Sequence, residues 1–128
     1  ILIKYKKRIN MEALIIVAHG SKIKTSNDEI KNIVEKIKAN LENNELLVLY
    51  AFLELTEPSI FISMNKAIAS GCKVIKIFPY FLAAGKHVKE DIPIEIKKFK
   101  KQYPDIKFEL LPHIGECKGI ENLILSNI

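Results

Sequence analysis

The sequence predicts an α/β three-layer sandwich built on a four-stranded, mostly parallel sheet. Three observations carry this. Short continuous apolar runs, as expected of strands buried on both faces, lie at 13–18 and 46–52, and two further short strand-like segments, KVIKIF and IKFELL, at 73–78 and 106–111. Between them lie segments whose apolar residues return every 3.6 positions, the spacing of a helix with one buried stripe. The resulting order, βαβαβαβα, places each helix as a crossover between parallel strands.

Residues 13–18 (ALIIVA) are the first strand, broken by His19-Gly20-Ser21. A helix is expected over 26–40, with Ile30, Ile33, Val34, Ile37 and Leu41 inward. Ser26 or Asn27 suits its N-cap, with Asp28 and Glu29 in the first turn. Asn43-Asn44 reads as the turn into the second strand, 46–52 (LLVLYAF). After the loop ELTEPS at 54–59, Pro58 suits the first turn of a helix over 58–70. That helix is expected to pack Ile60, Phe61, Met64, Ala67 and Ile68 inward and to end at Gly71. The third strand, 73–78 (KVIKIF), runs into FPYFLAAGKHVKEDIP at 78–93. A helix over 92–101 follows, its outer face carrying Lys97, Lys98, Lys100 and Lys101, which reads as a solvated face near a helix C-terminus. Pro104 ends that segment, 106–111 is the fourth strand, and 119–127 a closing helix.

The chain has 128 residues, enough for one domain whose core needs neither disulfides nor a structural metal. Its formal charge is +5, but Lys4, Lys6, Lys7 and Arg8 all fall in residues 1–10, which carry no acid. The rest sets 16 basic residues against 15 acidic ones, so no general nucleic-acid footprint is present. Met11, directly before the first strand, reads as the natural start. Residues 1–10 are expected to be a disordered upstream extension and 11–128 a single domain. No apolar run approaches the roughly 20 residues of a membrane span. No apolar segment with a cleavage site follows the basic start, so no secretory leader is expected. Cys72 and Cys117 are isolated, as reduced thiols in a cytoplasmic protein would be.

Chemistry is expected on one rim, because the loops at 19–21, 54–57, 82–87 and 112–115 all follow strands. A lone histidine at a strand end is more often a hydrogen-bonded structural residue. His19 and His87 on the same rim shift the balance, since imidazole is the commonest nitrogen ligand for Co, Ni, Fe and Zn. Glutamates facing the same cavity can orient the histidines or take up protons. HGSK at 19–22 lacks the glycines of a dinucleotide or Walker A loop. Ser21 lacks the GxSxG setting of a hydrolase, and the ligand set of a structural zinc site is missing. Two histidines with open positions suit an ion that is delivered and released. The residues alone leave open a metal-transferring enzyme, a metal carrier without catalysis, and a flavodoxin-like interaction module with structural histidines.

AHGS at 18–21, LELTEPSI at 53–60, FPYFLAAGKHVKEDIP at 78–93 and LPHIG at 111–115 together resemble the short-chain CbiX-type sirohydrochlorin chelatases. The resemblance spans essentially all of 11–128 and implies their chelatase-like (flavodoxin-like) fold. It implies insertion of a divalent metal into sirohydrochlorin without ATP or a permanent cofactor. Co²⁺ for cobalamin-type tetrapyrroles is the first choice by family breadth, with nickel for F430 or iron for siroheme as alternatives. By the same resemblance His19 and His87 bind the metal, and His19 also accepts a proton. Glu57, Leu82, Ala83, Ala84, Gly85 and Lys86 match positions that contact the tetrapyrrole, with Glu54 and Ser21 as extrapolations from the same loops. Lys22 stands where arginine is common, and His113 where the family does not insist on histidine, which marks it as supporting or structural. Lys22, Lys24, Lys86 and Lys89 are placed to meet the eight carboxylates of the ring. A homodimer is implied, with no nucleic acid or membrane partner.

Overall fold

The computed structural model describes residues 11–42 and 46–128. The extension read at 1–10 and the turn read at Asn43-Asn44 lie outside the described residues. Strands β1 (Glu12–Ala18), β2 (Leu46–Phe52), β3 (Val74–Pro79) and β4 (Lys107–Leu110) form one sheet in the order β2-β1-β3-β4. Every pairing is parallel. Ala18 lies opposite Phe52, and Val17 opposite Pro79, so three strands end almost level. That register brings the loops after β1, β2 and β3 side by side.

The helices split over the two faces. Ala13, Ile15 and Val17 of β1 and Ile75 and Ile77 of β3 meet helices α2 (Ile60–Ala69) and α3 (Ile92–Gln102) through Met64, Ala67, Ile92, Ile96 and Phe99. On the other face Ile16 and Val48 pack against Val34 of α1 (Lys24–Asn40). This is the expected three-layer sandwich, and its fully dehydrated interior supplies the main stabilisation.

Several local expectations are corrected. Helix α1 begins at Lys24, so Ser26 and Asn27 lie inside it and Asp28 and Glu29 fall beyond its first turn. Asn27 is nearly buried because its side-chain amide folds back onto the main chain of Ser21. Helix α2 is capped by Ser59, whose Oγ accepts from the Ile62 N–H at 3.2 Å, which leaves Pro58 outside the helix. Ile60, Met64 and Ala67 then share the inward stripe, and Phe61, about 100° further round, is turned out. Phe61 is 61% exposed.

A π-helical turn, His87–Asp91, precedes α3, with the Ile92 N–H donating to the His87 carbonyl. The closing helix is shorter than expected, α4 at Ile120–Leu125, and residues 121–128 are exposed. The α1 face keeps an apolar hollow of about 270 Å³ between Leu14, Ile16, Phe78 and Tyr80. Cys72 is buried and Cys117 half-buried, both unpaired. No described helix is long and apolar enough to cross a membrane.

Candidate metal centre

The loop after β1 and the loop after β2 are laced together by main-chain bonds. Leu53 N–H donates to Ala18 O at 3.0 Å, and Glu54 N–H donates to His19 O at 3.1 Å. Gly20 makes this closeness possible. It sits at φ +97°, and a Cβ there would lie 2.0 Å from the Glu54 carbonyl oxygen. The HGS motif is therefore a steric requirement as well as a chemical one.

His19 and Glu54 consequently face each other, with His19 Nε2 and Glu54 Oε2 2.8 Å apart. His19 Nδ1 lies 3.0 Å from the Gly20 carbonyl oxygen, which can only accept, so Nδ1 carries the proton. In the neutral ring Nε2 is then a lone pair directed at a carboxylate. Two acceptors at 2.8 Å require a cation or a proton between them. His87 arrives from the loop after β3, with its ring centroid 4.9 Å from that of His19. Its Nδ1 lies 2.7 Å from Asp91 Oδ2, one turn on, which makes Nδ1–H the donor and leaves Nε2 open. One donor atom from each of His19, Glu54 and His87 falls within 4.8 Å of the others. All three side chains are partly open to solvent, which suits an ion that must arrive and leave.

Asp91 also accepts from Lys86 Nζ at 3.0 Å. The Lys86 hydrogen bond, and then that of His87, hold the Asp91 carboxyl below the ordinary value of 3.8. The reciprocal bond pushes the Lys86 ammonium up. Lys86 is thus engaged within the chain instead of standing free at the rim. Leu82, Ala83 and Gly85 are exposed and Ala84 half-buried beside His87. Gly115 fixes that loop: its N–H donates to Phe81 O at 3.1 Å, and a Cβ at 115 would lie 1.7 Å from Leu82 O.

The remaining expected residues divide. Glu54 joins the cluster. Glu57 is exposed and does not line the cleft of about 400 Å³ that contains Glu54, His87 and Asp91. The Ser21 hydroxyl accepts from the Ile23 N–H at 3.0 Å, a local turn role. His113 is outside the cluster, with its Nδ1 3.2 Å from Glu116 Oε1. Asp91's bond to His87 and Asn27's tie to the main chain of Ser21 were not anticipated. The four-residue step from His87 to Asp91 was the only sequence signal for the first, and none existed for the second.

A parallel α/β sheet with two imidazoles and a carboxylate converging at its carboxyl rim defines a protein able to hold a divalent ion at an open site. The chain belongs to the CbiX family, whose model matches residues 13–128. It is 43% identical over 83 residues to a sirohydrochlorin cobaltochelatase from Methanococcus aeolicus, covering 65% of this chain and 57% of that protein. It is 38% identical over 114 residues to one from Sulfolobus acidocaldarius, covering 89% and 87%. A sirohydrochlorin ferrochelatase from Priestia megaterium is 36% identical over 116 residues, covering 91% and 41%. The chain thus spans roughly half the length of several of these relatives. Among solved structures, the sirohydrochlorin chelatase SirB of Bacillus subtilis subspecies spizizenii in complex with cobalt superposes with a TM-score of 0.79. The two are 28% identical, over 91% of this chain and 49% of that one.

Proposed function

We propose that this protein inserts a divalent metal, Co²⁺ first, into sirohydrochlorin without ATP. The observation that carries the reading is the convergence of His19, Glu54 and His87 on one open point of the rim. Its support from relatives is that those named cobaltochelatase include one matched over most of both chains.

In this reading the ion is a substrate. His19 Nε2, a Glu54 oxygen and His87 Nε2 take it from water, the remaining positions staying open to the pyrrole nitrogens. Three donors hold a borderline ion firmly enough to strip part of its hydration and loosely enough to surrender it. Insertion exchanges M²⁺ for two ring protons. A Glu54 oxygen accepts one of them, and His19 Nε2, freed as the ion passes to the ring, accepts the other; the two groups are adjacent at 2.8 Å and can pass those protons to solvent. Asp91 holds His87 in the tautomer that points Nε2 outward. The loop 82–86 contacts one edge of the ring. Nothing in an N₂O donor set separates Co²⁺ from Ni²⁺ or Fe²⁺, and the ferrochelatase among the relatives makes iron the second reading.

The working unit in this proposal is residues 11–128 as a homodimer in the cytoplasm. The exposed Leu123, Ile124 and Leu125 of α4 support a partner on that side. The test is Co²⁺ insertion followed by the absorbance of sirohydrochlorin, for wild type, His19→Ala and His87→Ala. Wild type is expected to exceed the spontaneous rate, and both variants to lose nearly all of that excess while keeping their far-UV circular dichroism. Metal binding without acceleration would leave the carrier instead.

A further inference from the structure

The cleft beside the metal cluster has an unlike lining, part titratable and part apolar. Its lining includes Glu54, His87 and Asp91 together with Phe61 of α2 and Ile94 of α3. Phe61 and Ile94 are large apolar residues left in water, 61% and 52% exposed, on helices whose inward stripes are otherwise complete. The Phe61 ring is not loose: its centroid lies 5.9 Å from that of Phe99, itself buried, so the exposed face is held in place. An apolar surface that opens directly onto titratable groups marks a ligand groove more than a chance exposure.

We infer that Phe61 and Ile94 form a shelf that seats one face of the tetrapyrrole beside His87. This deepens the function proposed above and rests on it. A tetrapyrrole has a flat, largely apolar face and charged groups only around its edge. An aromatic side chain with one free face is matched to the first and indifferent to the second. Among the described residues the same cleft is lined by three carboxylates, Glu54, Asp91 and Glu95, and by no lysine. The edge carboxylates of the ring are therefore turned outward, and its nitrogens are left facing the histidines. Phe61 and Ile94 are positioning residues for the ring and have no part in holding the ion.

The test separates the two affinities. Sirohydrochlorin binding is titrated without metal, from the absorbance of the ring, and Co²⁺ binding is titrated without the ring. Phe61→Ala and Ile94→Ala are each expected to raise the sirohydrochlorin Kd about tenfold, the loss of one apolar contact surface, and to leave the Co²⁺ Kd unchanged. Phe61→Tyr keeps the aromatic face and is expected to bind as wild type. Ile62→Ser removes a 47% exposed apolar residue of the same helix that does not line the cleft, and is expected to change neither. If contact with Phe99 makes Phe61→Ala unstable, Ile94→Ala carries the same comparison. Unchanged ring affinity in the folded alanine variants, with an active wild type, overturns the shelf and leaves the chelatase reading standing. A change in sedimentation in place of ring affinity overturns it in favour of a second copy covering this face. A wild type that binds no sirohydrochlorin overturns both.

Discussion

Gly20→Ala offers a sharp test of how the metal cluster is built. At φ +97° a Cβ is strained by roughly 1–2 kcal/mol. The new methyl would also lie 2.0 Å from the Glu54 carbonyl oxygen, below the 3.0 Å that real Cβ contacts keep, so the loop after β2 must retreat. Retreat breaks the bond from Glu54 N–H to His19 O, adding about 1 kcal/mol. The total, about 2–3 kcal/mol, corresponds to a fall in Tm of roughly 10 °C for a domain of this size. Gly71→Ala is the control, because Gly71 also has a positive φ, +91°, but among the described residues nothing lies within 4 Å of the added Cβ. It should show the strain alone. The same retreat carries Glu54 away from His19, so Co²⁺ affinity, followed by the visible absorption of the ion, is expected to fall at least tenfold in Gly20→Ala only. The reasoning is refuted if both variants melt together and bind Co²⁺ as the wild type does.

Other outcomes follow from the same geometry. Asp91→Ala removes the acceptor that orients His87 and should weaken Co²⁺ binding about tenfold in a calorimetric titration; an unchanged isotherm would show that the orientation is set elsewhere. His113→Ala should leave that isotherm unaltered, because His113 pairs with Glu116 outside the cluster; a weakened one would bring it into the site. The Lys24 hydrogen bond holds Asp28 below the ordinary value of 3.8. Its stabilisation is therefore present above that pH and lost as the pH falls through the lower folded value. A carboxyl ¹³C titration should place the Asp28 midpoint below 3.8, moving up in Lys24→Ala; a midpoint unmoved by that change would contradict the pairing.

The sheet and its rim were legible in the sequence because short apolar-rich strand segments and 3.6-residue stripes are strong, local signals. So were His19, directly after β1, and His87, on the small-residue loop between β3 and the helical segment that follows. Helix starts were less so. Asn27 has the composition of a cap, yet its amide is more strongly satisfied by the Ser21 main chain, and no local rule anticipates a bond across six residues. Phe61 was placed inward by its hydrophobicity alone, although Ile60, Met64 and Ala67 already complete the stripe that the sheet can bury. The resemblance puts Glu57 ahead of Glu54 as a substrate contact, and spacing alone says nothing of which one meets His19. Only the register of β1 with β2, a long-range fact, sets Glu54 against His19 and leaves Glu57 outside. Asp91 was hidden for another reason: its value depends on a π-helical turn, which has no clear sequence signature.

His19, Glu54 and His87 come from three different crossovers, so an unfolded chain has no such cluster. An ion bound there belongs to the native state alone and shifts the unfolding equilibrium by mass action, about 2.7 kcal/mol at a hundredfold excess over Kd. If the ion departs inside the product, that contribution departs with it. Each turnover would then carry the protein through a cycle of thermal resistance, lowest in the interval between release of one metallated ring and capture of the next ion.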